Sequence, residues 1–170
     1  MERFQEEHNQ AVQNLRIADH MLNVTYPLLN DPKLLLSVMD NTFLSLTHSM
    51  ASILHYDRFF KRIPPFHDNF ESKFNMFKLK SMPTHRIDKS IPETMLQIKE
   101  LILLHRKSPV EFRKNGQFVI CHENYETTII TLNQIKEFTQ KAKQFINTTT
   151  EIVHGHERIL RGSEGRIEAS

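Results

Sequence analysis

Between Pro32 and Lys61 the chain runs without a glycine or an internal proline, and apolar side chains recur there at helical spacing. Leu35, Met39, Phe43, Leu46, Met50, Ile53 and Phe60 make one stripe, and Leu36, Leu44 and Leu54 widen it. A helix of that span is about 45 Å long, and one that is apolar over so wide an arc has to be covered by neighbours on both sides. Asn30-Asp31-Pro32 reads as its start, with Asp31 as N-cap and Pro32 in the first helical position. Pro64-Pro65 stops it. The rest of the fold has to be built around this rod.

The remaining segments supply the cover. Phe4, His8, Ala11, Leu15, Ala18 and Leu22 alternate steps of four and three and predict a first helix, expected to end at Tyr26-Pro27. Asp68-Asn69-Phe70-Glu71 predicts a short helix with Phe70, Phe74 and Phe77 on one side. Lys80 to Lys89, polar and broken by Pro83, reads as a loop. Ser90-Ile91-Pro92-Glu93 is a capping box for a helix that buries Met95, Ile98, Leu101 and Ile102 and stops near Ser108-Pro109. The period then changes: Val110-Glu111-Phe112, the turn signal Asn115-Gly116 and Phe118-Val119-Ile120 predict a hairpin, with Thr127 to Ile130 as a third short strand. Thr131-Leu132-Asn133-Gln134 opens a last helix carrying Leu132, Ile135, Phe138, Ala142, Phe145 and Ile152 on one face. The expected fold is mainly α: an up-and-down bundle of four to five helices with a small β-hairpin insertion before the last major helix. Residues 1–154 are expected to form one domain, and residues 155–170, rich in charge and glycine, a flexible tail.

Composition narrows the chemistry. With only four glycines among 170 residues, a phosphate-cradling glycine loop is excluded in practice, and no P-loop, dinucleotide fingerprint or nucleophile elbow is present. The single Cys121 excludes an internal disulfide and a cysteine-based zinc site. Its neighbour His122 points to the opposite face of a strand, so the two make no nucleophilic pair. His48 and His55, seven apart on one face of the long helix, are two stacked ligands without a third. No metal and no cofactor is expected. Without a signal-like N-terminus or a bilayer-length apolar run, the expectation is a cytoplasmic protein with no membrane contact. Charge is lopsided: residues 1–57 hold three Lys/Arg against seven Asp/Glu, a net of −4, whereas residues 58–89 hold eight against three, a net of +5. Within the basic stretch Lys73, Lys78, Lys80, Arg86 and Lys89 are the candidates to meet an anion or nucleic acid.

Phe59-Phe60-Lys61-Arg62-Ile63-Pro64-Pro65-Phe66-His67 places an arginine ahead of a histidine, with four residues between them, in a helical bundle of this size. In this the chain resembles the HEPN superfamily, especially its small archaeal and prokaryotic members, loosely from Met1 to His154. The resemblance implies an RNA-associated or defence/toxin-type protein acting as a homodimer, either a metal-independent ribonuclease or an inactive relative. It implies that Arg62 steadies the charged phosphate and that His67 moves a proton during attack by the ribose 2′-hydroxyl. Arg3 and His8 have the same spacing, but His8 continues the apolar face of the first helix. The alternative is a non-catalytic helical module that binds another protein or a small ligand. The catalytic reading requires Arg62 and His67 in one concave two-fold groove rimmed by residues 73–89. The binding-module reading leaves Arg62 paired to a carboxylate such as Asp57 or Asp68.

Overall fold

Pro27 and Pro83 both lie inside helical segments rather than at their ends. In the computed structural model α1 (Arg3–His20) passes through a π-helical turn, Met21–Thr25, into α2 (Tyr26–Leu29). In the same way α4 (Phe70–Met76) passes through a π turn, Phe77–Ser81, into α5 (Met82–His85). A proline has no N–H for the carbonyl four residues back, and its ring collides with that carbonyl. Widening the turn by one residue removes the collision, and the residue before each proline closes the wide turn: Tyr26 N–H donates to Met21 O and Met82 N–H to Phe77 O. Asn30 and Arg86, with φ of 50° and 52°, then end the two segments in the left-handed conformation. This corrects two expectations, a first helix ending at Tyr26-Pro27 and a loop over 80–89; the second segment stays helical through His85.

The structure describes the backbone of residues 1–108, 110–114 and 117–167, with side chains at residues 1–108 and 117–155. The long rod is α3 (Lys33–Phe59), and α6 (Ser90–Lys107) and α7 (Leu132–Ile167) complete the bundle. Leu35, Val38, Met39, Leu46, Met50, Ile53 and Leu54 of α3 are buried among residues of the neighbouring helices, so the rod is covered over most of its apolar arc, whereas Leu44, expected to widen that arc, is exposed. Its closest partner is α1, and small side chains make that approach possible. Ala11 and Ala18 are fully buried, and Ser45 and Ser52 of α3 donate across the seam to the carbonyls of Ala11 (2.9 Å) and Phe4 (2.7 Å). Leu46→Ala in the middle of this core should lower stability by about 2–5 kcal/mol. Denaturant unfolding checks it, and a loss under about 1 kcal/mol would mean the core lies elsewhere.

Between α6 and α7 stands a three-stranded antiparallel sheet in the order β1 (Val110–Lys114), β2 (Gln117–Cys121), β3 (Thr127–Ile130). Val110 pairs with Cys121 and Lys114 with Gln117; the expected Asn115-Gly116 turn lies outside the described residues. Phe118, Ile120 and Ile130 join the helical core, which fixes the sheet's inner face. The third strand pairs as expected, so the insertion is a meander rather than a lone hairpin. The backbone of α7 is helical as far as Ile167, past the start of the tail expected at residue 155. Among the described residues no helix is long and apolar enough to cross a membrane.

Candidate functional site

Arg62 is set by the way α3 ends. Lys61 takes a φ of 57°, and the Arg62 N–H returns to the Asp57 carbonyl at 2.8 Å. The guanidinium therefore folds back over the last turn of its own helix. It lies 5.6 Å from the centroid of the Tyr56 ring and 5.4 Å from that of Phe60, with Nη1 3.6 Å from Asp57 Oδ1. Its side chain remains 45% exposed, whereas that of Asp57 is only 1% exposed.

A carboxylate so deeply buried needs donors, and the second proline-centred segment delivers them. Ser81 Oγ donates to Asp57 Oδ2 at 2.6 Å, and His85 Nε2 to Oδ1 at 2.7 Å, the His85 side chain being 11% exposed. An ionised carboxylate only accepts, so Nε2 carries the ring proton towards it and Nδ1 is left as the proton-accepting nitrogen. Ser81 and His85 are four apart, the spacing that puts two helical residues on one face. The π turn sets the direction of that face, since one extra residue in the turn rotates everything after it. Arg62 and His85 thus meet the same carboxylate oxygen from two different parts of the chain.

The residues expected from sequence fall as follows. His67 is exposed on the segment between α3 and α4, and among the described residues no hydrogen bond, ion pair or ring contact joins it to Arg62. Lys73 is held by Asp68 at 2.5 Å, and Lys78 Nζ lies 5.5 Å from the Phe74 ring centroid. Lys80 is exposed in the π turn, Arg86 at the left-handed end of α5 and Lys89 at the N-cap of α6. Asp57, Ser81 and His85 were not among the expected site residues. The available signals were an aspartate inside an apolar stripe and a Ser/His pair four apart across a proline.

A second polar cluster lies on the other side of α3. His48 Nδ1 donates to Glu7 Oε2 at 2.7 Å, Arg3 lies 3.8 Å from Glu7 and 3.6 Å from Asp68, and His55 and Arg58 line the adjoining hollow. The hydrogen bond from His48 holds the Glu7 carboxyl below its usual range in spite of burial. Burial, and then the Arg3 charge, push His55 below the usual histidine value. His8, the partner of Arg3 by spacing, points elsewhere. Its Nε2 meets Thr150 Oγ1 at 2.8 Å, and Thr150 gives its own proton to the Ile146 carbonyl, so Nε2–H is the donor. Burial and the neighbouring His154 lower His8 too. Among the described residues no three metal-ligating side chains come together.

These shifts fix a pH dependence. For His8 and His55 the folded pKa lies below the unfolded one, so between the two values the unfolded chain binds more protons and acid destabilises the fold. Stability should begin to fall as pH drops below about 6.5, the ordinary histidine value. Glu7 adds to the loss below about 4.3, where its unfolded form protonates first. Chemical denaturation as a function of pH checks this, and His8→Gln, which keeps a donor for Thr150, should flatten the upper part of the slope.

Compared with models of protein families, with curated proteins and with solved structures, the chain finds no match.

Proposed function

We propose that this chain is an HEPN-like, RNA-associated homodimer whose acid–base centre is Arg62 with the Asp57–His85 pair. The observation that carries the reading is the convergence of Arg62 and His85 on one oxygen of a buried carboxylate. A histidine oriented by a carboxylate through one ring nitrogen presents the other as a general base. His85 Nδ1 takes the proton of a ribose 2′-hydroxyl, and the 2′-oxygen attacks phosphorus while the 5′-oxygen departs. The exposed guanidinium of Arg62 holds the non-bridging phosphate oxygens as their charge grows. His67, on the segment following Arg62, is the histidine that can protonate the departing oxygen from a second copy. The basic residues Lys78, Lys80, Arg86 and Lys89 flank His85 along the chain and suit the phosphates of a bound strand.

The test is cleavage of single-stranded RNA with and without EDTA, with the product ends identified. Cleavage that survives EDTA and leaves 2′,3′-cyclic phosphate ends supports the reading. A requirement for Mg²⁺ sinks it. The pairing of Arg62 with Asp57 favours a second reading, a non-catalytic helical module, in which Arg62 is a structural clasp. RNA bound but uncut across several sequences points to that module.

A further inference from the structure

The seam between α1 and α7 brings together two histidines that the acid–base centre does not use. The helices run antiparallel, with Phe4 packed on Val153 near one end and Lys143 Nζ 2.7 Å from Asp19 Oδ1 near the other. Beside the first contact the rings of His8 and His154 stand with centroids 5.1 Å apart and planes at 86°. That separation also suits an ordinary edge-to-face ring contact. What sets the pair apart is the state of His8. The Thr150 hydroxyl gives its proton to the Ile146 carbonyl, so His8 Nε2 carries the ring proton and Nδ1 keeps its lone pair. Among the described residues no group hydrogen-bonds to that Nδ1. Burial and His154 hold the ring below the ordinary histidine value, so it is uncharged at neutral pH. A hollow of about 520 Å³ opens beside both rings, lined further by Asn9, Val12, Gln13 and Arg16.

We propose that His8 and His154 hold a divalent transition-metal ion of the copper–zinc type between α1 and α7, with water from the hollow completing its shell. A metal-bound histidine characteristically donates its second N–H to a fixed acceptor, which sets the tautomer and aims the ring. Thr150 Oγ1 is that acceptor for His8, at 2.8 Å. The ring separation agrees. With metal–nitrogen bonds of about 2.0–2.1 Å, two imidazoles at a tetrahedral angle have their centroids roughly 5 Å apart. Imidazole selects copper and zinc, whereas magnesium and calcium prefer oxygen. A closed structural zinc site takes four protein ligands, and among the described residues no third histidine, cysteine or carboxylate joins this pair. The ion is therefore an exchangeable one. The carboxamides of Asn9 and Gln13 line the hollow where its waters lie. Arg16, the one arginine or lysine among the lining residues, is two helical turns from His8, about 12 Å along α1. Because the two ligands come from opposite ends of the chain, the site exists only in the folded protein, and an ion bound there stabilises the fold by mass action. None of Asp57, Ser81, His85 or Arg62 lines this hollow, so the site stands or falls apart from the acid–base centre.

The experiment is titration calorimetry of the chelator-stripped full chain with Cu²⁺, Zn²⁺ and Mg²⁺, followed by thermal unfolding with and without Zn²⁺. Cu²⁺ should bind roughly tenfold or more tighter than Zn²⁺, the usual order at nitrogen sites, and Mg²⁺ should give no heat. His8→Gln, which keeps a donor for Thr150, and His154→Gln should each weaken Cu²⁺ binding roughly tenfold or more, since one of two protein ligands is gone. His20→Gln, which removes an exposed histidine from the same helix, should leave the affinity unchanged. The Cu²⁺ electron paramagnetic resonance spectrum should show coupling to two imidazole nitrogens in the parent and to one in either variant. Zn²⁺ should raise the midpoint of thermal unfolding in the parent and in neither variant. Circular dichroism matched to the parent separates lost binding from lost fold, and His154, only half-buried, keeps the test open should His8→Gln not fold. Equal affinity in the parent, His8→Gln and His154→Gln would mean an adventitious ion only, held by other histidines, and overturns the proposal. So does a midpoint that Zn²⁺ leaves where it was.

Discussion

Asp57→Ala should lower the stability of the fold by about 3–5 kcal/mol, the range found when one partner is removed from a buried charged network. Asp57 Oδ2 takes the Ser81 hydroxyl at 2.6 Å and Oδ1 takes His85 at 2.7 Å, all inside the protein. Alanine leaves both donors facing a hole, and Arg62 loses the carboxylate that holds it against Tyr56 and Phe60. Asp57→Asn should fall between. Its amide oxygen still accepts from His85, and its NH₂ is tolerable only if the Ser81 hydroxyl turns to accept from it. Urea denaturation of the three forms measures the order. An alanine variant within about 1 kcal/mol of the parent would mean that the cluster is wet and loosely held, with no preorganised base in it.

Helical class and core were readable because the signal is a period, and packing rewards the same period. The stripe through Leu46 and Ile53 marks the most buried positions of α3, and the Thr131 hydroxyl, accepting from the Gln134 N–H, caps α7 where expected. The strand pairing followed from the change of period after Ser108. The candidate centre was harder to see for one physical reason. Sequence rules treat an internal proline as a stop, whereas a π turn lets the helix absorb it at Pro27 and again at Pro83. Reading 80–89 as a loop removed Ser81 and His85 from any defined face, so Arg62 was the one partner that could be named for Asp57. The pairing of Arg62 with a carboxylate was within reach, because Asp57 precedes it by little more than a turn. Its consequence, that the guanidinium meets His85 there, depends on a contact 28 residues distant in sequence.

His85→Ala should slow RNA cleavage by roughly a hundredfold or more, the usual scale for losing a general base. A loss from misfolding has to be separated from a loss of chemistry, and the pH profile does so. If His85 is the base, the fall in rate on the acidic side of the rate–pH curve should disappear in His85→Gln, which retains a donor for Asp57. A purely structural role would lower the whole curve without changing its shape. Arg62→Lys should not restore activity lost in Arg62→Ala, because an ammonium is a point charge and cannot reproduce the planar fork that grips two phosphate oxygens. His67→Ala separates the two histidines. If it matches His85→Ala in severity, His67 supplies the second proton transfer, and mixing His67→Ala with His85→Ala protomers should regain part of the rate through one intact shared site. Arg3→Ala is the comparison at the other cluster, 3.6 Å from Asp68 and apart from the centre, and should leave the cleavage rate at saturating RNA close to that of the parent. Full activity in the Arg62→Ala/His85→Ala double variant would remove both residues from the chemistry and return the cluster to the role of a buried clasp between α3 and α5.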